Sequence, residues 1–400
     1  MRIGMMADTF HPHVSGITTY IDLNKTYLEK HGHDVFVFTF GDLDHQDDMP
    51  RIVRSPGMPL ADTGYYLSLR YSRSAKQLLQ TMDVVHVHHP FLSGRLALHY
   101  CRPLQIPIVF TNHTRYDLYA QTYLPMMPEE ISQGLLQAYM PSFCQAVDLV
   151  ISPSEGMKQV LRQLEVTASI EVVPNGVDLQ RFFGAEPLNR EDFDFTKNDI
   201  LLLYSGRLAP EKNLDFLLRS FAGVSKAVEN VYLLVVGGGH KPFEEELQSL
   251  VQELDIQRRV RFTGMVPHEE LPGYIAMCDA FVTASVTEVH PFSVIEAMGT
   301  GLPVVGIYSP GVGDTVEDGA TGFLSSHDLA SYTAKLTRLC LDPGLIRRMG
   351  EAARKASTQY SIERTNRIMM DHYERLVYDF QPRHRRWDTR LRSFLERFLS

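Results

Sequence analysis

Short, uninterrupted apolar runs separated by helix-length stretches constrain this chain more than any other feature of its sequence. Runs at residues 3–6, 35–39, 84–88, 108–111, 149–151 and 170–173 are built largely from Val, Ile, Leu and Phe. Several are continuous rather than alternating. A strand that is apolar on both faces is covered on both faces, as in a parallel sheet sandwiched by helices. Stretches with a helical pattern, such as 16–31 and 72–81, lie between them. A polar interval at 185–198 (A-E-P-L-N-R-E-D-F-D-F-T-K-N) interrupts the pattern and reads as a linker. Alternation restarts at 200–204, 231–236, 260–262, 280–284 and 303–306. Two doubly wound α/β halves follow. The 400-residue length also exceeds one ordinary core. The expected domains are residues 1–190 and 191–360, with 361–400 as C-terminal helices returning to the first domain.

Other classes are excluded by simple counts. A net charge of −9 argues against a nucleic-acid binder. No apolar run approaches the roughly 20 residues of a membrane span. The opening M-R-I-G-M-M-A-D-T-F turns polar too soon for a secretory signal and reads as the first strand. Cys101, Cys144, Cys278 and Cys340 are scattered without a C-x-x-C pair, which fits buried thiols in a reduced compartment.

Residues 287–301 read T-E-V-H-P-F-S-V-I-E-A-M-G-T-G. Glu288 follows the run at 280–284 and its short loop. Glu296, eight positions on, lies on a helix that begins near Pro291. One carboxylate at a strand's C-terminal edge and another just inside the next helix face the crevice where open parallel sheets bind ligands. The helix N-terminus between them offers N–H groups and a positive dipole end to an anion such as a pyrophosphate. The second half opens with Y-S-G-R-L-A-P-E-K-N at 204–213. Gly206 permits a tight turn, and Arg207 and Lys212 stand where they can neutralise a diphosphate. One Arg and one Lys in such a loop are ordinarily a solvated surface pair. The acidic segment at the same sheet edge favours a site.

G-R-L-A-P-E-K-N followed about 75 residues later by E-x7-E resembles the large retaining glycosyltransferase family four. V-V-P-N-G-V-D at 172–178, V-V-G-G-G-H at 235–240, R-F-T-G-M-V-P-H-E-E-L at 261–271 and D-G-A-T-G-F-L at 318–324 belong to the same pattern. The likeness covers nearly the whole chain. It implies the GT-B fold, an α/β architecture of two Rossmann-like doubly wound domains facing a central cleft. It also implies roles. Arg207 and Lys212 contact the nucleotide diphosphate, Glu296 bonds the ribose, and Glu288 holds hydroxyls of the transferred sugar. The backbone at Met265 and Val266 frames the base. Gly16 lies in a glycine loop beside the phosphates, and His113 is a catalytic-site histidine near the donor sugar. Two positions depart from the pattern. Pro291 stands where the family often has glycine, which leaves phosphate contact to the amides of Phe292, Ser293 and Val294. Asp314 stands where many relatives carry Glu.

His86, His88 and His89 form H-V-H-H-P, with His11 and His13 near the first strand. His86 and His88 alternate onto one strand face and suggest a metal pair. No carboxylate or cysteine cluster accompanies them, so they are expected to line an acceptor cleft or to satisfy backbone groups. The run at 235–239 also fails the spacing of a dinucleotide fingerprint, as does 3–16, which disfavours a nicotinamide dehydrogenase. Two carboxylates invite a double-displacement mechanism. The resemblance assigns both to donor binding instead and implies retention by same-face attack, with the leaving phosphate taking the acceptor proton. Arg207, Lys212 and the helix dipole then replace a divalent metal, and no cofactor is expected.

The acceptor is less legible. Aromatic runs at 64–71 and 116–127 fit either core helices or the docking of a lipid headgroup. T-N-H-T-R-Y-D-L-Y at 111–119 resembles the corresponding segment of glucosyltransferases that act on diacylglycerol. After Pro382, Trp387, Leu391, Phe394, Leu395 and Phe398 would share one helix face, with six arginines around them. Such a helix can lie on an anionic bilayer or pack on the first domain, and both readings stay open. The expected function is transfer of a hexose from a nucleotide-diphosphate sugar, UDP-glucose first, to a lipid such as diacylglycerol. The expected location is cytoplasmic, peripheral on the inner membrane face. The alternatives are a soluble or polyprenyl-linked glycan acceptor, or a non-catalytic nucleotide-sugar binder.

Overall fold

The computed structural model describes residues 1–59, 66–68, 70–118 and 129–380. Parts of both aromatic runs, and all of the basic stretch after Pro382, lie outside the described residues. The chain forms two compact units. One comprises Met1–Gly176 with the chain from Ile362 onward, and the other Val177–Ser361.

In the first unit, β1 (Arg2–Met6), β2 (Asp34–Phe40) and β3 (Ile52–Ser55) are followed by a two-residue antiparallel ribbon, β4 (Met58–Pro59) with β5 (Tyr66–Leu67). Then come β6 (Val84–Val87), β7 (Ile108–Thr111), β8 (Leu149–Ser152) and β9 (Ile170–Val172). The main sheet is parallel, in the order β3-β2-β1-β6-β7-β8-β9. Every residue of β6, β7 and β8 is buried, which is why these runs carry no alternation. The helix Gly16–Lys30 starts at Ser15, which forms a capping box with Thr18; such a cap contributes about 1 kcal/mol. The helix Ile362–Phe380 packs against it and against β6, burying Met369 and Tyr373.

The second unit holds β10 (Ile200–Ser205), β11 (Val231–Val236), β12 (Val260–Gly264), β13 (Ala280–Thr283), β14 (Val304–Ile307) and β15 (Gly322–Ser325). They form one parallel sheet in the order β12-β11-β10-β13-β14-β15. Alternate residues feed two cores. Leu202, Tyr204, Leu233 and Val235 pack with Phe216, Leu217 and Phe221 of the helix Leu214–Ala227. Leu201, Leu203, Leu234, Val236 and Phe281 pack with Val294, Ile295 and Met298 of the helix Phe292–Thr300. Burying one such side chain contributes about 1.5–3 kcal/mol.

The structure corrects the linker. Residues 185–198 belong to the second unit, and the chain passes from one unit to the other at Gly176–Val177 instead of at 190. The polar residues of this interval are tethers. Leu188 N–H donates to Gly273 O at 3.2 Å, and Arg190 donates to Met277 O and Asp199 O at 2.9 Å and to Asp279 at 3.1 Å. Phe195 is buried in the core. Besides the short β4–β5 ribbon, two strands of the main sheets went unread. β3 is a half-exposed edge strand, I-V-R-S, and β15 opens on glycine. Strand ends also shift by a residue: β6 stops at Val87, β13 at Thr283, and β14 begins at Val304.

Candidate active site

β10 and β13 are neighbours, yet the chain leaves them toward opposite edges of the sheet, β10 to β11 and β13 to β14. Their following loops open at one switch point, where parallel sheets bind ligands. This brings together two residues 76 positions apart: Lys212 Nζ donates to Glu288 Oε1 at 2.6 Å. Lys212 ends the short turn Pro210–Lys212. Asn213 follows in a left-handed conformation, and its amide donates to Ala284 O at 3.1 Å, tying the two loops. Behind Glu288, its carbonyl accepts Gly311 N–H at 3.0 Å. A Cβ on Gly311 would come within 2.5 Å of the Val289 backbone, so only glycine allows that approach. Gly237 does the same for the first loop. At φ +136°, a Cβ there would lie 2.0 Å from Gly206 O. The V-V-G-G-G run therefore lets the Gly206–Arg207 turn close down on it.

The electrostatics are those of paired charges. Burial alone would raise the Glu288 carboxyl. The charge and hydrogen bond of Lys212, with Ser285 and Arg207 adding, overcome it and hold Glu288 below the usual carboxylate range. The two side chains are 24% and 18% exposed. Arg207, 56% exposed, donates to Glu211 at 2.5 Å. Each cation thus has its own acid. Glu211 was not singled out from the sequence, although its i,i+4 spacing from Arg207 could have signalled it.

Pro291 caps the helix Phe292–Thr300 in an extended conformation and is not its first residue, so its missing N–H takes nothing from the first turn. Ile295 N–H donates to Pro291 O at 3.3 Å; the amides of Phe292, Ser293 and Val294 come before that bond. Glu296, one turn in, is buried, and its Oε1 is 3.5 Å from His268 Nε2. Arg181 donates to His268 Nδ1 at 2.9 Å and to its carbonyl at 2.8 Å. A guanidinium only donates, so His268 Nδ1 is the acceptor and Nε2 faces Glu296. Neither Arg181 nor His268 stood out in the sequence. Met265 is exposed on the loop after β12, and Val266 packs at the core edge.

In the first unit, Gly16 is the exposed first residue of its helix, and a Cβ there would meet nothing within 4 Å. One turn on, the Tyr20 ring lies 4.6 Å from His113. His113 follows β7, and its Nε2 is 3.1 Å from His88 Nδ1. His86 shares that strand face with His88, ring centroids 4.3 Å apart. Its Nδ1 meets Tyr373 OH at 2.5 Å and its Nε2 meets Thr111 Oγ1 at 2.6 Å. Burial lowers His86 to about 3 and takes His88 and His113 well below the usual range, with neighbouring imidazoles adding to both. His89 Nδ1 accepts Asp8 N–H at 3.1 Å, and His11 pairs with Asp22 at 2.5 Å. So His86 and His88 bond side chains, not backbone groups. Among the described residues, no group of three or more His, Cys, Asp or Glu side chains is placed to hold a metal. The four cysteines are free and buried. No described helix is long and apolar enough to cross a membrane.

Residues 14–181 match the model of Glycosyltransferase Family 4, and residues 186–356 match Glycosyl transferases group 1. The alpha-monoglucosyldiacylglycerol synthase of Streptococcus pneumoniae (strain ATCC BAA-255 / R6) is 32% identical over 348 residues, 82% of this chain and 77% of the relative. This chain belongs to glycosyltransferase family 4. The enzyme of the same name from Acholeplasma laidlawii is 25% identical over 381 residues, 91% and 94% of the two chains. Among solved structures, Anabaena Alr3699/HepE in complex with UDP-glucose superposes with a TM-score of 0.72 at 20% identity, covering 94% of this chain and 99% of that one. That likeness is one of fold: the two Rossmann-like domains are those of GT-B glycosyltransferases. In this family 4 glycosyltransferase, Arg207, Lys212, Glu288, Glu296, Met265 and Val266 all lie in the second unit, and Gly16 and His113 in the first.

Proposed function

We propose that this family 4 glycosyltransferase moves glucose from UDP-glucose to diacylglycerol with retention at C1. The observation that carries the reading is the Lys212–Glu288 pair at the switch point of the second unit, with the amides of Phe292, Ser293 and Val294 on the helix that follows. Lys212, Arg207 and the helix N-terminus supply positive potential to a diphosphate that gains charge as the glycosidic bond breaks. With these charges in place, no divalent metal is required. Glu288, held ionised, accepts from hydroxyls of the hexose. Glu296 accepts from the ribose, and the backbone at Met265 and Val266 frames the base. Gly16 leaves room beside the phosphates, and His113 meets the hexose. The acceptor hydroxyl attacks C1 on the face from which the diphosphate departs. The C1–O bond to UDP breaks, and the departing phosphate oxygen takes the hydroxyl proton, leaving UDP and the glucosyl lipid.

The acceptor class draws its support from the two relatives named alpha-monoglucosyldiacylglycerol synthase. An alpha product from an alpha-linked donor is retention. The Anabaena protein of like fold is in complex with UDP-glucose, which supports that sugar nucleotide as the donor proposed here. A lipid acceptor calls for peripheral contact with a bilayer on its inner face, and the arginine-rich stretch carrying Trp387, Leu391 and Phe394 fits that role. The test is a mass-spectrometric screen of UDP-glucose, UDP-galactose and GDP-mannose against diacylglycerol-containing micelles. A hexosyl-diacylglycerol product with UDP-glucose is expected. Product only with a soluble or polyprenyl-linked glycan, or with no nucleotide sugar at all, overturns the proposal.

A further inference from the structure

Two imidazoles bonded nitrogen to nitrogen share one proton along that line. His88 Nδ1 and His113 Nε2 are 3.1 Å apart, between the ends of β6 and β7. Burial makes both rings weak bases, so near pH 7 both are neutral and each carries a single N–H. Two arrangements satisfy the bond. Either His113 Nε2–H donates, and the proton of His88 sits on its own Nε2, or His88 Nδ1–H donates, and the proton of His113 sits on Nδ1.

The surroundings of His88 choose between them. His88 Nε2 is buried and has no hydrogen-bond partner among the described residues. A proton there would be a buried donor with nothing to receive it, whereas a lone pair there is an unmet acceptor, the more readily tolerated of the two. The ring cannot easily turn away. His86 lies 4.3 Å from it and is itself held at both nitrogens by Tyr373 and Thr111, while Tyr20 flanks it at 5.4 Å.

We infer that His88 is a positioning residue: it donates through Nδ1 to His113 Nε2 and so sets His113 to offer Nδ1–H to an oxygen of the transferred sugar. His113 then acts as a hydrogen-bond donor and not as a base, because the nitrogen that could take a proton is already occupied. The inference rests on the reading of His113 as the residue that meets the hexose. It goes further by fixing which nitrogen meets it and what holds that nitrogen's proton in place.

The experiment is long-range 1H–15N NMR on the full chain labelled with 15N-histidine, together with steady-state kinetics of two variants. His88→Asn places an amide nitrogen where Nδ1 was and can still donate. His88→Phe keeps a ring and cannot. In the wild-type protein at pH 7, His113 is expected in the Nδ1–H form. His88→Asn keeps that form, and His88→Phe lets both tautomers appear. With UDP-glucose and diacylglycerol micelles, kcat is expected to fall about tenfold in His88→Phe and about threefold in His88→Asn, with KM for UDP-glucose within about twofold. An Nε2–H form or an imidazolium at His113 in the wild type overturns the inference, as do equal losses and identical tautomers in both variants. If His88→Phe does not fold, the wild-type and His88→Asn spectra decide. The spectra need no substrate, so a wild-type protein with no turnover would defeat the proposed reaction while the tautomer still tests this assignment.

Discussion

Replacing Lys212 by Met keeps most of the side-chain stem and removes its charge. Lys212 Nζ stands 2.6 Å from Glu288 Oε1, with the two side chains 24% and 18% exposed. At an effective dielectric of about 20 the gross attraction is about 6 kcal/mol, and desolvation of both groups offsets most of it. Exposed pairs are worth about 1 kcal/mol or less, and breaking a fully buried one costs about 3–5 kcal/mol. A partly buried pair falls between, at about 2 kcal/mol. For a unit of 185 residues (361 − 177 + 1) that is a drop in melting temperature of about 4–8 °C. The pH dependence has a definite sign. Glu288 is held below its ordinary value, so in the wild type it contributes stability above about pH 4.3, lost as pH falls through the folded value. Without Lys212, burial dominates and the folded value rises. The ionised carboxylate is then a penalty at pH 7 that is relieved as pH falls. Melting of wild type and Lys212→Met by circular dichroism at pH 7 and pH 5 should therefore show a deficit that shrinks at pH 5. Turnover should fall at least about tenfold, since a lost charge contact is worth a few kcal/mol in the transition state. A deficit under about 1 °C, or one equal at both pH values, with turnover intact, would refute the reasoning.

Glu296→Ala should weaken UDP binding about tenfold by calorimetry, the loss of one charge-assisted hydrogen-bond acceptor; unchanged affinity would misplace the ribose. Gly237→Ala puts a Cβ 2.0 Å from Gly206 O at φ +136° and should destabilise the second unit by about 3 kcal/mol or more, read by urea unfolding. Gly16→Ala faces open space and should leave stability within about 0.5 kcal/mol. If Gly16 lies beside the donor phosphates as proposed, the variant's turnover should drop. Ending the chain at Phe380 should abolish flotation with vesicles containing anionic lipid; equal flotation of both forms would remove the case for the terminal arginines.

Much of the architecture was legible because it is written in local pattern. Largely apolar, non-alternating runs such as V-V-H-V and L-V-I-S are buried at every position, and the sheets they imply are present. Two of the four edge strands, β3 and β15, were not legible, since I-V-R-S is half exposed and G-F-L-S begins with a residue of low strand preference. The linker was misread for a related reason. Polarity at 185–198 reads as a linker, but Arg190 spends its polarity on two carbonyls and Asp279. At the site, Arg207, Lys212, Glu288 and Glu296 could be named from motif and position. Their partners could not. Glu211 alone had a local signal, four positions from Arg207. His268 reaches Glu296 from a loop 28 positions earlier, and Tyr373 reaches His86 across 287 positions.

Periodicity and residue type act over a few positions, so sequence alone determined that two helix-covered parallel sheets form and which strand ends carry charge. Which charges meet is a matter of strand order. Lys212 finds Glu288 because β10 and β13 are adjacent while their connections run apart, and His88 finds His113 because β6 and β7 are adjacent. Those distances also decide protonation, since burial and partner together set whether a carboxyl is ionised or which imidazole nitrogen holds its proton. Tertiary structure alone supplies both.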